Sequence, residues 1–144
     1  YRAEDYEAAR RALEAVGAAQ LRSREMGALS GGERQKVYIA MALAQETPAV
    51  LMDEPTTYLD IGHQLEVMRL ATMLRQEGKA VVLVLHDLNL AFRFAGVLHL
   101  MQRGELVFSG TPEQLSQSGA LEAVFHVRAH RVELPDHSAQ YVFE

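Results

Sequence analysis

"AVLMDEPTTYLD", Ala49 to Asp60, is the stretch on which the fold turns. Pro48 ends helical character before it, and Ala49–Asp53 is a short continuous apolar run, the mark of a strand buried on both faces. The run closes on adjacent acids, Asp53 and Glu54, after which Pro55, Thr56 and Thr57 force a fixed turn. In parallel α/β sheets ligands bind at the C-terminal edge of the strands, where these two carboxylates would stand. One can hold Mg²⁺ through its water shell while the next orients or deprotonates an attacking water. A lone Asp-Glu pair is commonly just solvated at a strand end, but the fixed turn makes that reading harder to sustain.

Downstream, the spacing predicts a long helix from about Ile61 to Gln76, closed by Gly78, then the strand "AVVLVL" (80–85) and a short helix starting near Asp87. Strands alternating with helices imply right-handed crossovers and a parallel sheet. His86 follows the second strand. A lone histidine there is more often a structural hydrogen-bonding residue than a catalytic one, yet two neighbouring parallel strands would deliver Asp53, Glu54 and His86 to one edge. "VLHLMQRGELVFSG" (97–110) reads as a hairpin turning at Arg103 and Gly104, with a second turn at Gly110. "TPEQ" (111–114) is a capping box with proline at the first helical position, and "VRAHRVELPDHSAQYVFE" (127–144) reads as two short strands around a Pro135–Asp136 turn.

Upstream lies "ALSGGERQKVYIAMALAQ" (28–45), in which Ser30 and Glu33 form an S-x-x-E capping box ahead of a helix carrying Val37, Ala40, Met41 and Ala44 on one face. That is a sufficient account of the serine. The sharper reading is that Gly31 and Gly32 leave backbone N–H groups uncovered at the positive end of a helix dipole, with the Ser30 hydroxyl beside them, an anion site suited to a phosphate. Taken alone, five residues are a weak signal. Before them, "AEDYEAARRALEAVG" (3–17) reads as an amphipathic helix with Tyr6, Ala9, Leu13 and Val16 on one face and Gly17 as its C-cap.

Composition narrows the function class. The 144 residues, 49% hydrophobic and 23% charged, suit one globular domain with a sizeable core. A net charge of −5 speaks against a nucleic-acid-coating surface and against a basic membrane-binding face. The absence of cysteine excludes disulfides and thiolate metal sites and is compatible with a reducing compartment. The longest apolar runs fall far below the ~20 residues of a spanning helix. The chain opens on Tyr1 with no apolar signal core, and is expected to be a piece of a longer one.

Together these residues resemble the nucleotide-binding subunits of ATP-binding-cassette (ABC) transporters. "LSGGE" (Leu29–Glu33) is similar to the family signature, "VLMDE" (Val50–Glu54) to its Walker B strand, "YLD" (Tyr58–Asp60) to its D-loop and His86 to its switch histidine. The motifs stand in the family's order, and the tail resembles the family's usual ending. The resemblance implies a partial P-loop NTPase fold, α/β with a parallel sheet and flanking helices, in which residues 1–47 are part of the helical signature subdomain and 48–144 the C-terminal part of the RecA-like core. It also implies ATP and Mg²⁺ as cofactors and a head-to-tail dimer with a second ATPase subunit. Ser30, Gly31, Gly32 and Glu33 would then meet the ATP held by the partner. Asp53 would contact the Mg²⁺ shell, Glu54 would be the general base, His86 would sense the γ-phosphate, and Asp60 would couple the two sites.

"DEPTTYLDIGHQLEVM" and "VLHDLNLAFRFA" further resemble the importer branch for iron-siderophore, haem or cobalamin complexes. Tyr58 stands where many branches have a small residue. That branch implies membrane permease subunits as partners, a periplasmic or surface binding protein indirectly, no nucleic acid, and a place on the cytoplasmic face of a bacterial or archaeal membrane. Glu33 stands in place of the commoner glutamine.

No G-x-x-x-x-G-K-[ST] loop occurs, because Gly78-Lys79 is followed by Ala80 and has Met73 where the first glycine belongs. The family's adenine-stacking aromatic and Q-loop glutamine have no counterpart either. These residues alone are therefore expected not to hydrolyse ATP. A non-transport ABC ATPase and a non-catalytic module that completes a partner's site are the competing readings. His126, His130 and His137 lack a regular ligand pattern and favour solvated or packing roles, while Met41, Met52, Met68 and Met73 read as core filler.

Overall fold

The computed structural model describes residues 2–135 and 139–144; Asp136 of the expected turn and His137 lie outside them. The chain divides into two compact units, Tyr1–Leu85 and His86–Glu144.

In the first unit the elements run α1 (Ala3–Ala15), α2 (Gly31–Leu43), β1 (Ala49–Asp53), α3 (Ile61–Gln76) and β2 (Ala80–Val84). β1 and β2 pair in parallel, from Ala49 opposite Ala80 to Asp53 opposite Val84, with α3 as the connection between them. α2 and α3 each start where the sequence supplies a cap. The Ser30 hydroxyl accepts from the Glu33 N–H for α2, and the Asp60 carboxylate from the His63 N–H for α3. Gly78 ends α3 with φ +86°, a conformation a side chain would strain. Val67, Met68, Ala71 and Leu74 make the buried stripe of α3, and they join Ile39, Ala40, Leu43, Val50, Met52, Ala12 and Val16 in the interior.

Several sequence expectations are corrected here. β1 and β2 are not buried on both faces: Val50 and Met52 point inward, whereas Leu51 is 74% exposed, with Val82 and Val84 half exposed. A continuous apolar run says that both faces suit burial, but burial needs a layer on each side, and the described residues cover one. On α1 the buried position is Ala12, joined by Val16 just past the helix end, while Tyr6 and Ala9 face outward, because the C-terminal half of the helix does the packing. On α2 the stripe is Ile39, Ala40 and Leu43, and Met41 is exposed rather than core filler; "VYIAMAL" is so apolar that it gives the 3.6-residue period no clear phase.

The second unit contains α4 (Leu88–Phe94), β3 (Leu98–Gln102), β4 (Glu105–Gly110), α5 (Pro112–Gln117), α6 (Ala120–Phe125), β5 (Ala129–Glu133) and β6 (Ala139–Phe143). The β3–β4 hairpin turns at Arg103 and Gly104, whose φ values of +52° and +84° match the primed two-residue turn that suits strand twist. β5 and β6 pair antiparallel, and Thr111 caps α5 through the expected box with Gln114. The six-residue α6 was not foreseen; the Ser118 hydroxyl accepts the Ala120 N–H at its start. Phe92 of α4 meets Tyr141 and Phe143 of β6 edge-on at 4.8 and 5.1 Å, beside Leu100, Leu115 and Leu121. Among the described residues no helix is long and apolar enough to cross a membrane.

Candidate functional site

The acids stand where the strand pairing ends. Asp53 is the last β1 residue, opposite Val84, and the Glu54 N–H extends the ladder by donating to the Val84 carbonyl at 3.1 Å. Glu54 has φ +48°, a left-handed conformation uncommon for a side-chain-bearing residue and typical of positions held for a purpose. The turn after it keeps it there. The Thr57 N–H donates to the Glu54 carbonyl and the Thr57 hydroxyl to Glu54 Oε2, both at 3.2 Å, while Pro55 and Thr56 are buried beneath. From α3, Gln64 Nε2 donates to the Thr56 carbonyl at 3.3 Å. Both carboxylates are exposed, so the sheet edge presents hard, anionic oxygen donors of the kind that suits Mg²⁺.

The second component is the start of α2. Glu33 Oε2 accepts from both the Ser30 N–H and the Ser30 hydroxyl at 2.9 Å, and the Ser30 hydroxyl in turn accepts from the Glu33 N–H at 3.3 Å. Those two Ser30 donors, with the more distant Arg24 guanidinium, hold the Glu33 carboxyl below the usual carboxylate range. Among the described residues the Gly31 and Gly32 N–H groups keep no hydrogen-bond partner, and a Cβ on Gly31 would meet open space. Two uncommitted donors at a helix N-terminus, with open space beside Gly31, fit a phosphate oxygen.

The third component is the turn at Tyr58 and Asp60. Tyr58 is fully exposed with φ +62°. Asp60 does more than cap α3: Oδ1 accepts the His63 N–H at 3.0 Å and Oδ2 lies 2.6 Å from His63 Nδ1. These bonds, backbone first, hold its carboxyl below its ordinary value. The ring of His63 also lies directly against Gly32, which links the Asp60 turn to the start of α2. Sequence reasoning missed His63; the available signal was a histidine three residues after an N-cap aspartate.

His86 opens the second unit, two residues after the end of β2, and is exposed, followed by Asp87 as the N-cap of α4. Among the other histidines His126 is the C-cap of α6, and His130 Nε2 lies 2.8 Å from Glu144 Oε1.

Residues 2–57 match the family described as "ABC transporter". The ferric enterobactin transport ATP-binding protein FepC of Escherichia coli (strain K12) is 40% identical over 136 residues, which is 94% of this chain and 50% of that protein. The chain belongs to the ABC transporter ATPase family. A second relative, the iron(3+)-hydroxamate import ATP-binding protein FhuC of Bacillus subtilis (strain 168), is 45% identical over 86% of the chain and 46% of its own length. The hemin import ATP-binding protein HmuV of Rhodococcus jostii (strain RHA1) is 44% identical over 79% of the chain and 38% of its own length. The chain thus spans about half the length of the curated relatives it matches. Among solved structures, a metal-chelate type ABC transporter in an inward-facing conformation superimposes with a TM-score of 0.88 at 28% identity, covering all of this chain and 59% of that one. An ATP-binding cassette of an ABC transporter in its ADP conformation gives 0.76 at 25% identity, over 85% of this chain and 50% of that one. The partial ABC ATPase fold expected from the motifs is therefore the fold of this chain.

Proposed function

We propose that the complete polypeptide carrying this chain is the ATP-hydrolysing subunit of an ABC importer for iron-siderophore, haem or cobalamin complexes. The observation that carries this reading is the pair of exposed carboxylates, Asp53 and Glu54, at the C-terminal edge of β1–β2, with Glu54 held by its turn in a left-handed conformation. The relatives named for ferric enterobactin, iron(3+)-hydroxamate and hemin transport support the cargo class.

Bound Mg²⁺ and ATP supply the scissile phosphoanhydride and neutralise the charge that develops on it. Asp53 would hold the metal through its water shell. Glu54, one residue on, takes the proton of the attacking water, and the Thr57 hydroxyl donating to Oε2 orients its carboxylate. His86 donates to the γ-phosphate. Ser30, Gly31 and Gly32 offer hydroxyl and amide donors to ATP held by a second ATPase subunit, with Glu33 bracing Ser30, and Asp60 couples the two sites across that dimer. Residues 1–47 serve as part of the helical subdomain and 48–144 as part of the ATPase core. Permease subunits anchor the protein at the cytoplasmic face of the membrane, and a binding protein delivers cargo from the other side.

Replacing Glu54 tests the reading. In the complete polypeptide Glu54→Gln is expected to bind ATP normally and to lose turnover by about 10²–10⁴-fold, the usual worth of a positioned base. Hydrolysis at the normal rate by that variant removes Glu54 from the role.

A further inference from the structure

α2 and α3 approach each other at one point without room to spare. A Cβ on Gly32 would lie 2.6 Å from His63 Cδ2, 2.8 Å from Nε2 and 3.0 Å from Cγ, so only glycine lets the first turn of α2 rest against the imidazole. The opposite edge of the same ring is held by Asp60, whose Oδ2 is 2.6 Å from Nδ1. An ionised carboxylate only accepts, so Nδ1 carries the hydrogen in this pair, and Nε2 is left on the side of Gly32. The charged groups nearby are already matched: Lys36 of α2 lies 2.7 Å from Glu66 of α3, and Glu33 is held by Ser30.

The His63 side chain is 41% exposed and takes no part in the buried cluster. Its ring contributes little by burial, yet it touches two separate segments to which the proposed function gives roles, the Gly32 end of α2 on the ATP of a second subunit and Asp60 in coupling the two sites. We infer that His63 is a positioning residue, its imidazole bridging the Asp60 turn to the Gly32 end of α2 so that the coupling residue and the donors for ATP are held at one set separation. This inference rests on the ATPase reading. The bridge has two ends of different chemistry, a hydrogen bond to Asp60 and a van der Waals contact with Gly32, and each can be cut without the other. Asparagine reproduces Nδ1 and its bond but has no outer ring; phenylalanine reproduces the ring but not the bond.

The test uses the complete polypeptide, with kcat, equilibrium ATP binding and melting temperature measured for the parent and for His63→Ala, His63→Asn and His63→Phe, and Glu54→Gln as the inactive control. For His63→Ala, kcat is expected to fall about tenfold, as misplacement of aligned groups does, while ATP affinity stays within about twofold and the melting temperature barely moves. His63→Asn and His63→Phe are expected to remain near the alanine value, because a bridge needs both ends; they also carry the comparison should His63→Ala fold poorly. Parental kcat in His63→Ala, or in either half-bridge variant, overturns the inference, as does a parallel loss of melting temperature and ATP affinity, which marks a scaffold residue. A parent that turns over ATP, beside a dead Glu54→Gln and an unaffected His63→Ala, sinks the bridge alone. A parent with no turnover sinks the ATPase reading and the bridge with it.

Discussion

At the scale of single residues, the candidate site is built from carboxylates whose environments differ. Glu54 sits in a strained backbone conformation with one oxygen engaged by Thr57, whereas Glu33 and Asp60 are tied into helix starts by hydrogen bonds to their charged forms. Those bonds lower both carboxyls, and Glu7, Glu66 and Glu122 are lowered likewise by Arg10, Lys36 and Arg128. A group whose folded-state pKa lies below its unfolded value contributes stability above the unfolded value and loses it as pH falls through the folded one. Stability is therefore expected to be full above the ordinary carboxylate values of about 4 and to decline in more acidic solution. Urea midpoints at pH 6 and pH 3 check this, and the double variant Glu33→Gln, Asp60→Asn is expected to show a smaller difference between the two. An unchanged midpoint at pH 3 removes these bonds from the stability balance.

At the scale of elements, α3 matters most because it carries the Asp60 cap, His63 and Gln64 on its first turn and the buried stripe Val67, Met68, Ala71 and Leu74 behind them. Its placement on the sheet thus sets the position of the turn that grips Glu54. Leu74 is 2% exposed, and Leu74→Ala is expected to cost about 2–5 kcal/mol, the lost transfer energy plus the cavity left behind. Chemical denaturation of this chain measures it. A cost well under 1 kcal/mol would mean that α3 can shift to fill the space, and would weaken its role as the rigid carrier of the site.

At the scale of the whole molecule, each unit has its own interior, and the first leaves one face of its parallel pair bare. Leu51, Val82 and Val84 are exposed there, with Ile61 and Tyr58 exposed beyond the end of β1. Parallel strands are normally covered on both sides, and contiguous exposed apolar surface promotes association. Expressed by itself, this chain is expected to self-associate, as read by light scattering. Leu51→Lys with Val82→Lys is expected to restore a monomer with unchanged circular dichroism; continued association would place the sticky surface elsewhere. By itself the chain is also expected to show no ATP turnover above its Glu54→Gln control, since its residues contain no G-x-x-x-x-G-K-[ST] loop to cradle the phosphates.

Much of this protein is determined by local chemistry that a sequence displays. The caps at Ser30, Asp60, Asp87 and Thr111, the start and end of α3, the Arg103–Gly104 turn and the acids closing β1 all follow from hydrogen bonding and backbone preference within a few residues. The motifs that place the chain in its family are likewise short and contiguous. Tertiary structure alone decided which faces are buried. A run such as Ala49–Asp53 or "VYIAMAL" is apolar on every side, so the layer that covers one side, and not the residues themselves, selects Val50 and Ile39 for the interior and leaves Leu51 and Met41 outside. It also decided that His63 meets Gly32. The two stand 31 positions apart, and only the packing of α3 on the start of α2 turns a glycine and a half-buried histidine into a single contact.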